Sequence, residues 1–213
     1  IKQHQEEIDA IVNNSEKPNF ENTIVALDNS GELLSQVASV FGNMMSAETN
    51  DSLQQLAKII MPLLDEHSNN ISLNEKLFNR VKAVYENRDN ENLNQQQKAL
   101  LEKTYKSFAR SGANLNDADK AKYREISQSQ SMATLQYDEK MLKAVNDYKL
   151  VITNKEDLKG LPENVIATAA EEAAAAGKEG WVFTLQSPSI IPFLTYADNR
   201  DLREKIYRAN VTK

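Results

Sequence analysis

Between Phe20 and Met45 the apolar residues Ile24, Leu27, Leu34, Ala38, Phe41 and Met45 recur in steps of three, four or seven. That spacing lines up side chains on one face of an α-helix and cannot be accommodated by the two-residue period of a strand. The same period returns along most of the 213 residues, and only six Gly and five Pro interrupt it. A chain written this way folds as packed amphipathic helices.

Ile1, Ile8, Ile11 and Val12 form a first stripe, which Pro18 in the SEKPN stretch brings to a stop. Asn19 is a suitable N-cap for a long helix from Phe20 that packs one face along its whole length. Asn50 or Asp51 caps a third helix carrying Leu53, Leu56, Ile60 and Leu63 or Leu64, with Pro62 expected to kink it and a break near Ser72. Leu73, Leu77, Val81 and Val84 continue the pattern up to a polar connector from Asn87 to Asn94. Asn94 then starts a helix with Leu100, Leu101, Tyr105 and Phe108 inward, Arg110 in its last turn and Gly112 to end it. Asn116 or Asp117 caps another long helix to Tyr148, whose buried side is expected to hold Ala133, Tyr137, Met141, Ala144, Val145 and Tyr148. The short ANLN link predicts that these two helices pack as an antiparallel hairpin.

The pattern changes after Tyr148. Leu150 to Thr153 and Trp181 to Leu185 are short β-branched or aromatic runs on either side of an Ala-rich helix from Glu163 to Ala176, and they read as a two-stranded ribbon. Pro188 and Pro192 mark a loop into a short helix, and Asp198 or Asn199 caps a last one with Leu202, Ile206 and Tyr207. The expected fold is mainly α: an elongated antiparallel helical lobe whose long helices occupy 1–148 and whose β-ribbon and short helices occupy 149–213.

Composition narrows the functional classes. Acidic residues number 31 against 25 Lys plus Arg, a formal charge of −6 with no long basic stretch, so a nucleic-acid partner is not expected. The absence of cysteine excludes disulfides, thiolate metal sites and cysteine nucleophiles. No apolar run approaches the roughly 20 residues of a membrane span, and no charged-then-apolar signal segment opens the chain, so no membrane partner is expected. Ile1 already sits inside a periodic pattern, which reads as a piece cut from something longer.

The chemistry-bearing candidates are few. Asp65, Glu66 and His67 stand side by side, and His67 and His4 are the only histidines. A zinc peptidase helix needs two histidines four apart with a glutamate after the first, whereas His67 is followed by Ser68 and has Ile71 at the fourth position, and His4 is followed by Gln5 and has Ile8 there. A di-iron bundle needs Glu-x-x-His, but Ile1 and Leu64 occupy the positions three before the histidines. DEHS is therefore read as solvated surface near a helix end. No Gly-x-Ser-x-Gly elbow is present. The glycines form no phosphate-cradling loop, and Gly177 to Gly180 reads as a turn rather than an RNA clamp. Arg200, Arg203 and Arg208 could grip a carboxylate, but Asp201 and Glu204 beside them favour a salt-bridged face. Glu171 and Glu172 read as solvating charges. The residues themselves supply no catalytic, cofactor-binding or metal-binding set.

Several stretches, in order, resemble the N-terminal part of the M3 family of zinc metallopeptidases. These are PNFENTIVALD from Pro18, VFGNMMSAETND from Val40, QQQKALLEKTYKSFARSGANLNDADKAKYREI from Gln95, LKGLPENVI from Leu158 and WVFTLQSPSIIPFLTYADNRDLREKIYRA from Trp181. The SGANL turn leans towards the peptidyl-dipeptidase branch rather than the oligopeptidases. The resemblance implies a parent enzyme that hydrolyses short peptides inside a deep channel and releases dipeptides from their C-termini. It also implies that the zinc ligands lie downstream, in a catalytic domain absent from this chain, so that the fragment forms a channel wall and is inactive alone. No catalytic or zinc residue carries over. The implied partners are short peptides and the missing C-terminal domain, and the implied compartment is the cytoplasm, with the periplasm open. The residues alone equally permit a helical scaffold or adaptor, or a peptide-binding domain.

Overall fold

The computed structural model describes residues 1–213. It is mainly helical, with one two-stranded antiparallel sheet. Contacts divide the chain into two units, Ile1–Leu135 and Gln136–Lys213.

In the first unit, helix α1 (Lys2–Val12) buries Ile8 and Ile11. The next segment departs from the expected long helix. Asn19 caps a π-helical turn over Phe20–Val25, which passes into a single α-turn, α2 (Ala26–Asp28). The backbone then breaks at Gly31, with φ of 74°, before α3 (Glu32–Ala47) begins. The apolar period runs straight through this break, so periodicity alone could not reveal it. The Gly31 N–H, freed at the break, donates to Glu7 Oε2 at 2.7 Å.

Helix α4 (Asp51–Ser72) is capped by Asn50 and contains Pro62, and α5 (Glu75–Glu86) is capped by Asn74. Helix α5 buries Leu77, Phe78, Arg80, Val81 and Val84. An Asn94–Gln97 capping box opens α6 (Gln95–Arg110). The two helices meet through aromatic rings, with Tyr85 and Tyr105 stacked at 4.1 Å and Phe78 facing Tyr105 and Phe108 at 5.8 and 6.2 Å. Arg88 lies 4.5 Å over the Tyr85 ring.

Helix α7 (Asp117–Asp147) corrects two expectations. Ala133 and Tyr137 are exposed rather than buried, Tyr137 at 61%, because the apolar residues of this helix are spread around it instead of forming one stripe. Helix α6 takes α5 as its main packing partner. The first half of α7 makes polar contacts with α4, through Asn69 Nδ2 to Ser127 Oγ at 3.2 Å and Arg124 to Asn70 at 2.9 Å.

In the second unit, β1 (Leu150–Ile152) pairs antiparallel with β2 (Trp181–Phe183), in the register Leu150 with Phe183 and Ile152 with Trp181. Helix α8 (Glu163–Ala175) buries Ala169 and Ala173. Helix α9 (Ser187–Tyr196) absorbs both prolines expected in a loop: Pro188 is tolerated in the first turn and Pro192 lies inside the helix, where burial of Ile190 and Phe193 offsets the missing bond. Helix α10 (Arg200–Val211), capped by Asn199, inserts Ile206. The core centres on Phe183 and Phe193, 4.6 Å apart.

Two glycine substitutions should separate strain from propensity. A Cβ at Gly31 would lie 2.6 Å from the His4 ring in a positive-φ conformation, so Gly31→Ala should lose at least roughly 1–2 kcal/mol. Gly42, inside α3 with nothing near its missing Cβ, should give a gain of up to about 1 kcal/mol as Gly42→Ala. Urea unfolding of both variants tests the opposite signs.

Candidate functional site

The two histidines come together in the first unit. His67 lies on the inner stripe of α4 with Ile60, Leu64 and Ile71, and is 6% exposed. This corrects the expectation that DEHS is surface: α4 continues five residues past His67, to Ser72, so the imidazole is carried inward. Glu66 and Ser68 do face solvent, while Asp65 is half-buried with Oδ2 lacking a hydrogen-bond partner. His4, on α1, meets His67 with Nδ1 to Nε2 at 3.0 Å and the rings edge-on.

The protons in this contact can be assigned from the chain of acceptors. Ser30 has one hydroxyl proton and donates it to the Leu27 carbonyl at 2.7 Å. Its oxygen must then accept from His4 Nε2–H at 3.3 Å. His4 Nδ1 is left as an acceptor, so the donor to it is His67 Nε2–H. The result is a one-directional chain from His67 through His4 and Ser30 to Leu27. Burial lowers the pKa of both rings; the Glu7 carboxylate opposes this at His4, and the charge of His4 adds to it at His67. The Gly31 N–H, followed by the Gln3 amide, holds the Glu7 carboxyl below its usual value.

These groups border a cleft of about 530 Å³ between α3, α4 and α6, with Leu34, Leu64 and Phe108 supplying apolar wall and Ser68 and Ser107 polar rim. Its chemistry is limited. Ser30 points its proton away from His4, so no base activates it as a nucleophile. Zinc needs three or four converging ligands, but the two imidazoles bond to each other and Glu7 is engaged by Gly31 and Gln3. The residues present do not fit a zinc site.

The other candidates lie in the second unit. Arg203 donates to the Ala197 and Asp198 carbonyls, closing the end of α9, and Arg208 pairs with Glu204 at 2.7 Å. Glu171 and Glu172 are exposed. Gly177 follows the end of α8, and Gly180 precedes β2.

Two residues that sequence reasoning passed over hold the unit together. Arg80, 8% exposed, donates to the Asn14 carbonyl at 2.7 Å and to Asn22 Oδ1 at 3.2 Å. Asn22 Oδ1 also accepts from the Asn19 N–H and the Thr23 hydroxyl, and its Nδ2 donates to the Lys17 carbonyl. The available signal was a charged residue flanked by Leu77, Val81 and Val84 on an apolar helix face.

Comparison with known proteins gives the class first: the homologues of this chain are peptidases of the M3 family, and the chain matches the N-terminal part of them. It is 38% identical to dipeptidyl carboxypeptidase of Escherichia coli, over 100% of this chain and 31% of the relative. It is 35% identical to dipeptidyl carboxypeptidase of Salmonella typhimurium, over 100% of this chain and 32% of the relative. Oligopeptidase A of Haemophilus influenzae is 30% identical over 92% of this chain and 29% of its own length. The chain thus spans about a third of the length of these curated relatives. No family model matches it. No helix is long and apolar enough to cross a membrane.

The histidine pair predicts a pH dependence with a definite sign. With both pKa values below the ordinary 6.5, the unfolded chain binds more protons as the solution is acidified. This stabilisation is complete above the unfolded pKa and declines as pH falls through and below it. The urea midpoint should therefore drop between about pH 7 and pH 5.5, and His4→Gln with His67→Gln should flatten that drop. A midpoint that rises on acidification would contradict the assignment.

Proposed function

We propose that this chain is the N-terminal helical lobe of a longer zinc-dependent peptidase that hydrolyses short peptides and releases dipeptides from their C-termini. One observation carries the reading: 38% identity over the whole chain to about a third of a dipeptidyl carboxypeptidase. The metal ligands and the groups acting on the peptide belong to the remainder of that polypeptide, because the donor set of this stretch does not fit zinc. No residue of this chain takes a catalytic or metal-binding role in the proposal. Its contribution is steric, since packed helices forming one wall of a channel admit a flexible peptide and exclude a folded protein.

The full-length polypeptide should release dipeptides from the C-terminus of short peptides, stop when chelated and resume when zinc is restored. Mass spectrometry of the products reads this directly. Internal cleavage would favour an activity like that in the name of oligopeptidase A, to which the similarity also extends, and no hydrolysis of any short peptide would overturn the reading. Residues 1–213 alone should show no turnover, and metal-dependent turnover by the purified piece would refute the division of labour.

A further inference from the structure

Helix α3 has apolar residues on two sides. Leu34, Ala38, Phe41 and Met45 are half-buried within the unit, but a second stripe of Leu33, Val37, Val40 and Met44 stands 47–61% exposed. Its steps of four, three and four make a continuous seam of the kind that packs against another helix. Helix α4 repeats the arrangement: Ala57 is buried, while Leu56, Ile59 and Leu63 are 47–63% exposed.

The composition of these faces is unlike that of a solvated helix. From Leu33 to Ala47 there is no charged residue, and between Ser52 and Leu64 the only one is Lys58. An interfacial membrane helix would carry Lys or Arg on its polar face, and α3 has neither. Transient protein interfaces are enriched in Tyr, Trp and Arg anchors, and the two seams contain only Leu, Val, Ile and Met. Neutral aliphatic surface is the composition of a domain core cut in half, as in permanent interfaces. About two thirds of the length of the relatives lies outside the match.

We propose that the outer faces of α3 and α4 are the surface on which the remainder of the same polypeptide packs, through an apolar helical face of its own. This rests on the reading of the chain as the N-terminal part of a longer peptidase. Such packing would bury both apolar stripes of α3 and fix the lobe against the catalytic part.

The test uses the full-length polypeptide. Val40→Cys and Ile59→Cys, each a small change, are labelled with a maleimide in native buffer and in urea, and the modified position is read by mass spectrometry. Met44, present without any substitution, is followed by peroxide oxidation in the same two conditions. All three positions should react at least roughly tenfold more slowly in the native protein than in urea, at every protein concentration and in a monomer by light scattering. Equal rates in the two conditions would overturn the proposal. So would protection that disappears on dilution, which would assign the surface to a second copy. Peptide hydrolysis by the wild-type protein separates the two readings: active protein with unprotected positions sinks the docking surface alone, and protected positions in an inactive protein sink the peptidase reading alone.

Discussion

Burial of helix α5 organises the first unit. Leu77, Phe78, Val81, Val84 and Arg80 are all removed from water, which requires packing from chain segments on both sides of it in sequence. The turn at Phe20–Val25 comes from before it and α6 from after. A buried guanidinium is costly to desolvate. Arg80 offsets part of that cost by donating to the Asn14 carbonyl and the Asn22 amide oxygen, with its Nε left unpartnered, and so ties the largely exposed segment ahead of the π-helical turn to the core.

This gives physical content to one of the stretches that carried the family resemblance. In PNFENT, Phe20 and Thr23 are buried, Asn19 caps the turn, and Asn22 joins it to Arg80 and Lys17. The Phe20 N–H is taken by Glu91 from beyond α5. Asn19, Phe20, Asn22 and Thr23 each have a part in the shape of this turn. The second unit works differently, since its small sheet relies on α8, α9 and α10 to cover Phe183, Phe193 and Ile206.

Where one rule dominated, the sequence was a good guide. The asparagine caps at 19, 50, 94 and 199, the helix end at Ser72 and the ribbon of 150–152 with 181–183 all follow from local spacing and capping chemistry. The break at Gly31 was hidden because the apolar stripe continues through it, and what fixes it is a contact with Glu7 and His4 from a different helix. His67 was misplaced for a related reason: the three polar letters DEH look solvated when read together, but a helix sends neighbouring residues to different faces. Its polar partner, His4, lies 63 positions away, beyond the reach of any local pattern. Tyr137 differs in the opposite sense: the half-buried side of α7 runs through Arg124, Ser127, Ser131, Leu135 and Leu142, a mostly polar row that an apolar period does not reveal, and Tyr137 lies off it.

The pairing of the only two imidazoles has a practical use. Their ring carbon protons resonate away from most other side-chain signals, so this stretch offers two lines from one place, where α1, the Ser30 turn and α4 converge. At fixed pH, any event that separates those elements breaks the relay of donors and moves both lines together. The fold thus contains its own position gauge, needing no label.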